Sequence, residues 1–251
     1  MKAYFLSDLH LGAPYFEDSR ERELRVVRFL DSIAHDADVI YLLGDILDYW
    51  YEYRYVVPRG FVRFFGKLAE LTDSGVRVVW FIGNHDIWIY DYLPSELGVE
   101  VVDGVLVEKI DGRKFLMTHG DGIGRLVPSF RILRKLFRSR ICQKAYSMIH
   151  PRWTVPFAYN WSRHSRLAAN GLPTPKEADR MMNNILDFSN DYLRQHPDTN
   201  YFIYGHLHLL RDIRLAPQAR MIVLGEWLSS FSYAVWDGNE LSLLFFSEEK
   251  I

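Results

Sequence analysis

The stretch FLSDLHLG, residues 5 to 12, places Asp8 and His10 directly behind an apolar run that begins at Tyr4. Such a run reads as a strand covered on both faces, as in the parallel sheets of α/β proteins. A carboxylate at its end, followed two residues later by an imidazole, is costly to bury without a partner. Residues i and i+2 share a face of an extended chain, so both side chains can aim at one place. In open α/β sheets that place, beyond the carboxyl ends of the strands, is where ligands bind.

The pattern recurs. Val39–Leu43, Val76–Ile82, Lys114–Thr118, Tyr201–Tyr204 and Met221–Leu224 are short runs rich in β-branched or aromatic residues. Helical spacing runs through Glu21–His35, Gly60–Ser74 and Pro175–Arg194, which predicts a βαβαβ alternation. Further strands are expected at Ile213–Leu215, Ser232–Trp236 and Glu240–Phe246, separated by turn signals such as Asp237-Gly238-Asn239. The expectation is an α/β domain of two packed sheets with helices outside, spanning residues 1–251 without a linker or internal repeat.

The 251 residues, 49% hydrophobic, are enough for one sizeable core, and a net charge of −2 gives no global pull toward nucleic acid or anionic lipid. The single cysteine, Cys142, excludes an intramolecular disulfide framework and fits a reducing compartment. Asp8 and His10 interrupt the place where a secretory apolar region would lie, and no apolar run reaches eighteen residues. These features predict a cytoplasmic protein.

One segment departs from the average. Between Arg125 and Arg166 the chain carries Arg125, Arg131, Arg134, Lys135, Arg138, Arg140, Lys144, Arg152, Arg163 and Arg166 and no acidic residue. Phe130, Leu133, Leu136, Phe137, Ile141 and Tyr146 recur among them at roughly helical spacing. This predicts a basic amphipathic helical insertion over 125–166, with Pro151 and Pro156 breaking it into separate helices. Such a cap suits a lipid-bearing phosphate, an anionic membrane surface or nucleic acid, and apolar residues among the arginines favour lipid. The plain alternative is the solvated face of a structural helical hairpin.

Polar residues gather at the ends of the other strands: Gly44-Asp45-Ile46-Leu47-Asp48, Gly83-Asn84-His85-Asp86, Thr118-His119-Gly120-Asp121 and Gly205-His206-Leu207-His208. Four of the nine histidines sit in these places, and His10 behind the first strand makes a fifth. Taken singly, Asp-x-His is more often a cap, and Gly-Asn-His-Asp more often a turn. Gly-His-x-His is sharper, because two same-facing imidazoles are hard to bury idle. Five such pieces, each after a strand, exceed any single structural explanation. Carboxylate, imidazole and carboxamide donors suit Mn²⁺, Zn²⁺ or Fe²⁺, whereas a closed structural zinc site would draw on thiolates this chain lacks. Asp48, Asp86 and Asp121 also read as caps, turn residues or outer supports.

Asp8-x-His10, Gly44-Asp45-x-x-Asp48, Gly83-Asn84-His85-Asp86, His119 and Gly205-His206-x-His208 together resemble the motifs of the calcineurin-like metallophosphoesterases. The resemblance spans residues 8 to 208. It implies an αββα sandwich with a basic helical cap, and two divalent metal ions, taken as Mn²⁺ with Zn²⁺ or Fe²⁺ compatible. It implies that Asp8, His10, Asp45 and His208 hold one ion while Asp45, Asn84, His119 and His206 hold the other, Asp45 bridging. His85 would serve as proton donor and Asp48 would orient it. The length, the Tyr49-Trp50 that follows Asp48, and a helical insertion directly after the His119 turn are similar to the lipid A branch of that family. That branch cleaves lipid-linked nucleotide diphosphates at the membrane surface. On that likeness Asn160, Ser162, Arg163, Ser165 and Arg166, with Asn84 and His206, would contact substrate. No nucleic acid and no obligate protein partner are expected, and the chain would lie peripherally on the inner membrane face. One departure stands out: His85 occupies the position where many members of that branch carry arginine. A broader phosphodiesterase or phosphatase acting on soluble nucleotides or nucleic acid is the alternative. A non-catalytic scaffold of the same fold should have lost ligands, and none of the seven is missing.

Overall fold

A computed structural model describes residues 1–14, 16, 18–168 and 175–248, with the backbone alone for 161–168 and 175. Its first sheet holds β1 (Ala3–Leu6), β2 (Val39–Leu42), β3 (Arg77–Phe81) and β4 (Glu100–Val102), all parallel, extended antiparallel by β10 (Ser232–Trp236) and β11 (Leu241–Phe245). The order is β11-β10-β1-β2-β3-β4. The second sheet runs β5-β6-β7-β9-β8, from β5 (Leu106–Ile110), β6 (Arg113–Thr118), β7 (Thr199–Tyr204), β8 (Leu210–Ala216) and β9 (Ala219–Leu224). Here β6, β7 and β9 are parallel, and β5 and β8 close the edges antiparallel.

Period-two alternation sorts the strand residues into layers. Phe5, Tyr41, Val79 and Phe81 from the first sheet meet Phe115, Met117, Ile203 and Ile222 from the second, and all are buried. Their neighbours Leu6, Ile40, Leu42 and Trp80 face outward onto α1 (Ser19–Ile33) and α2 (Val62–Asp73) through Phe29, Leu30, Phe64 and Leu68. Leu116, Phe202, Tyr204 and Met221 face the other way, onto Ile185 and its neighbours in α7 (Pro175–Gln195). The result is the expected αββα sandwich. No helix among the described residues is long and apolar enough to cross a membrane.

The remaining helices are α3 (Tyr92–Leu97), α4 (Pro128–Phe137), α5 (Arg140–Ser147) and α6 (Pro151–Ala168). The last three fall in the basic segment, between β6 and α7. Pro151 opens α6, at the helix position where its missing N–H costs nothing. Pro156 does not break the helix as expected. It lies within α6 at the loss of one hydrogen bond, and the chain continues helical past it. Strands β4 and β5 and helix α3 were not expected. β4 is three residues long and partly exposed, and β5 is an edge strand whose charges Glu108 and Lys109 dilute its apolar pattern.

Phe115 sits at the centre of the inter-sheet layer, with ring centroids 5.9 Å from Phe5, 4.7 Å from Tyr201 and 5.6 Å from Trp236. Phe115→Ala should lower the unfolding free energy by about 3–5 kcal/mol in a urea titration, whereas Phe115→Leu should cost under about 1.5 kcal/mol. Equal losses for the two variants would contradict this packing.

Candidate dimetal site

The loops leaving β1, β2, β3, β6 and β7 all emerge at one edge of the sandwich, and backbone hydrogen bonds hold them against each other. Asp8 N donates to Gly44 O (3.1 Å), His10 N to Asp45 O (2.9 Å) and Gly205 N to His119 O (3.0 Å). Side chains then bridge the two sheets. Asp8 Oδ2 accepts from His206 N at 2.9 Å and from Ser7 Oγ, and His119 Nδ1 lies 2.7 Å from Leu43 O.

The described residues include eight non-glycine positions in the left-handed region, and five of them are Asp8, His10, Asp45, His206 and His208. Each such conformation costs on the order of 1–3 kcal/mol and persists where the surroundings over-determine it. Here it turns successive ligand-type side chains inward from short loops. Glycine is demanded beside them by space: a Cβ on Gly83 would collide with Asp45 Oδ1, and one on Gly205 with Ser7 Oγ.

Seven expected ligands converge. His208 Nε2 lies 3.4 Å from Asp8 Oδ1 and 3.3 Å from His10 Nε2. His10 Nε2 lies 3.8 Å from both Asp8 Oδ1 and Asp45 Oδ2. On the other side of Asp45, His119 Nε2 is 3.4 Å from Asp45 Oδ2 and 3.4 Å from Asn84 Oδ1. Donor atoms of Asp8, His10 and His208 lie within 4.8 Å of one another, as do those of Asp45, His119 and His206.

Tautomers follow from the acceptors. Leu43 O can only accept, so His119 donates to it from Nδ1, which leaves Nε2 facing Asp45. His10 Nδ1 faces Asp48 Oδ1 at 3.2 Å, which leaves its Nε2 for the cluster in the same way. His85 Nδ1 lies 3.0 Å from the Asp48 carbonyl oxygen, nearer than the 3.5 Å to the Asp48 carboxylate. Asp48 therefore orients His10 with its carboxylate and His85 chiefly with its main chain. No helix begins at Asp48, so it is not an N-cap.

Charge and burial test whether cations fit. Burial alone would raise the Asp8 carboxyl, but His208 and His10 hold it down to about 2. Burial opposes a charged His119, yet Asp45 and Asp8 lift it to about 10. Asp8 Oδ1 is buried and accepts no hydrogen bond. A buried anionic cluster with one oxygen left over and Nε2 atoms aimed inward suits divalent cations bound by oxygen and nitrogen.

Asp86, buried, accepts from Gly83 N (2.8 Å), Ile46 N (3.0 Å) and Trp80 Nε1 (3.1 Å), and burial with Asp45 nearby raises it to about 6. It clamps the Gly83 turn to the Asp45 loop. Asp121 binds Arg134 Nε at 2.9 Å, tying α4 to the loop that carries His119. The sequence reading missed Ser7 and Trp227, whose N donates to Asp8 O at 3.1 Å. Gly225 after β9 repeats the strand-then-glycine signal that could have found the latter. Asn160 is exposed on α6. The side chains of Ser162, Arg163, Ser165 and Arg166 lie outside the described residues.

A family model described as Calcineurin-like phosphoesterase matches residues 1–210. The chain is 42% identical over 253 residues to a UDP-2,3-diacylglucosamine hydrolase of Porphyromonas gingivalis, covering 96% of each. It is 29% identical to one of Neisseria meningitidis serogroup A, covering 92% of this chain and 91% of that one. Among solved structures, Yfce, a phosphoesterase from E. coli, aligns with a TM-score of 0.47 at 16% identity, covering 98% of this chain and 93% of that one.

Gly83→Ala pushes a methyl group onto Asp45 and should weaken Mn²⁺ binding in calorimetry by roughly 10–100-fold, the range seen when supports of metal ligands are lost. Gly66→Ala, where an added Cβ meets nothing within 4 Å, should bind as the unaltered protein does. Unchanged binding in the Gly83 variant would mean Asp45 holds no metal.

Proposed function

The chain belongs to the calcineurin-like phosphoesterase family of metal-dependent hydrolases, and on that premise we propose that it cleaves the diphosphate of UDP-2,3-diacylglucosamine to UMP and 2,3-diacylglucosamine 1-phosphate. The observation that carries the substrate is the 42% identity over 96% of the chain to the Porphyromonas gingivalis UDP-2,3-diacylglucosamine hydrolase. The segment 125–166 supports it. On this reading that segment is a cap over the site, receiving acyl chains and resting peripherally on an anionic membrane face.

Asp8, His10, Asp45 and His208 would hold one cation and Asp45, Asn84, His119 and His206 the other, with Mn²⁺ taken from the family resemblance and Zn²⁺ or Fe²⁺ equally suited to the mixed donors. Bound there, a cation pair supplies a solvent nucleophile of lowered pKa and neutralises charge at phosphorus. The protein's own groups do the rest. With Nδ1 held by the Asp48 carbonyl, His85 presents Nε2 to give a proton to the departing oxygen. Asp48 keeps His10 and His85 in register. Asn84 and His206 contact substrate oxygens, and Asn160, Ser162, Arg163, Ser165 and Arg166 form a phosphate clamp, for which arginine suits bidentate contact.

His85 favours a second reading, a phosphodiesterase on soluble nucleotides, because it matches the wider family rather than the lipid branch.

Offered Mn²⁺ and UDP-2,3-diacylglucosamine, the protein should release UMP, and a UDP-sugar without acyl chains should react far more slowly. Equal rates on both, or turnover of neither, would refute the lipid assignment. Asp45→Ala should abolish both turnover and metal uptake, and a metallated, active variant would end the bridging role. His85→Ala should lower kcat by roughly 10²–10⁴-fold with metal content retained, the range for losing a general acid. Undiminished kcat would exclude His85 from proton transfer.

A further inference from the structure

A second exposed apolar and basic element lies outside the cap, in the loop between β2 and α2. Tyr53 N donates to Val56 O at 3.1 Å and closes a tight turn, with Arg54 and Tyr55 at its tip. Tyr55 is 84% exposed and Val56 54%, against almost complete burial of Tyr49, Trp50 and Tyr51 just before them. Arg54 and Arg59 are exposed on the same loop, and from Tyr53 to Ala69 there is no acidic residue. Arg54 stacks over the Tyr55 ring with its guanidinium carbon 5.2 Å from the centroid. Neither Tyr55 nor Val56 belongs to a core cluster.

The loop is anchored to the cap. Tyr53 Oη lies 2.8 Å from Thr154 Oγ1 on α6, and the flanking cap residues Trp153 and Phe157 are 69% and 62% exposed. Tyr51 Oη donates to Gln143 O at 2.7 Å, and Tyr49 Oη lies 3.1 Å from Tyr146 Oη, both on α5. Phenols thus stitch the root of the loop to two cap helices while its tip stands free of the core. Aromatic and aliphatic side chains at a tip ringed by arginine are the chemistry that enters the interfacial layer of an anionic bilayer. A protein partner read by the same surface would need acidic groups and a shaped apolar pocket.

We propose that the Arg54–Arg59 loop is a second membrane-docking element, which inserts Tyr55 and Val56 into an anionic bilayer beside the cap. With Trp153 and Phe157 it forms one apolar rim, and Arg54 and Arg59 meet the lipid phosphates. The proposal rests on the lipid-linked substrate reading, because two contacts flanking the cap would hold the site facing the surface where such a substrate resides.

The test is co-sedimentation of the full chain with vesicles of phosphatidylcholine containing phosphatidylglycerol, and with vesicles of phosphatidylcholine alone. UMP release is measured in parallel on a short-chain substrate analogue that is monomeric in buffer. Tyr55→Asp with Val56→Asp should reduce binding to the anionic vesicles several-fold. Arg54→Gln and Arg59→Gln should each reduce it roughly fivefold, as expected for a basic side chain at an anionic surface. Turnover of the soluble analogue should be unchanged in all of them. Vesicle binding that survives every loop substitution, or that is absent from the unaltered protein, overturns the proposal. Loop-dependent vesicle binding by a protein that releases no UMP would leave the docking element standing and remove the substrate reading instead.

Discussion

The architecture is organised around one electrostatic problem. Asp8, Asp45 and Asp48 are almost wholly buried at the junction of the two sheets, where carboxylates carry a heavy desolvation cost unless opposed by positive charge. Imidazoles from four loops supply part of the answer, and the field is strong enough to lift His119 to about 10. Divalent cations bound there would supply the rest. The left-handed conformations at Asp8, His10, Asp45, His206 and His208 are the backbone cost of aiming those donors at the same place. The parallel direction of β1, β2 and β3, and of β6 and β7, makes the convergence possible, because every loop leaves its strand at the same edge.

Much of this was legible in the sequence for physical reasons. A doubly covered strand must be apolar, so a polar residue at its end stands out. Asp8, Asp45, Asn84, His119 and His206 announced themselves in that way, and the alternation of apolar runs with helical spacing gave the layers. Residues that act through the main chain left no such trace. Asp48 sets His85 with a carbonyl oxygen, which every residue has, and Trp227 reaches Asp8 through its amide. β4 and β5 were overlooked because edge strands are released from the demand for continuous apolar character, and Glu108 shows it. Pro156 stays within α6, against the expected break, because a single proline removes one hydrogen bond, which neighbouring turns can outweigh.

The basic segment is joined to the site by more than sequence proximity. Asp121 follows His119 by two residues and holds Arg134 of α4, and Trp88 Nε1, three residues past His85, donates to Phe137 O at the end of that helix. Tyr49, next to Asp48, meets Tyr146 of α5. The helices that would gather a lipid-linked substrate are thus fastened to the loops that carry the site's chemistry. A shift of the cap by an ångström would be felt at His85 and Asp48, which gives substrate fit a direct route to the reacting groups.

The central claim is that five loops close around a pair of cations bridged by Asp45. Anomalous diffraction from crystals grown with Mn²⁺ tests it most directly. Two peaks should appear about 3.5–4 Å apart, with Asp45 between them, His10 and His208 on one side and His119 and His206 on the other. One peak, or peaks away from Asp45, would contradict the account.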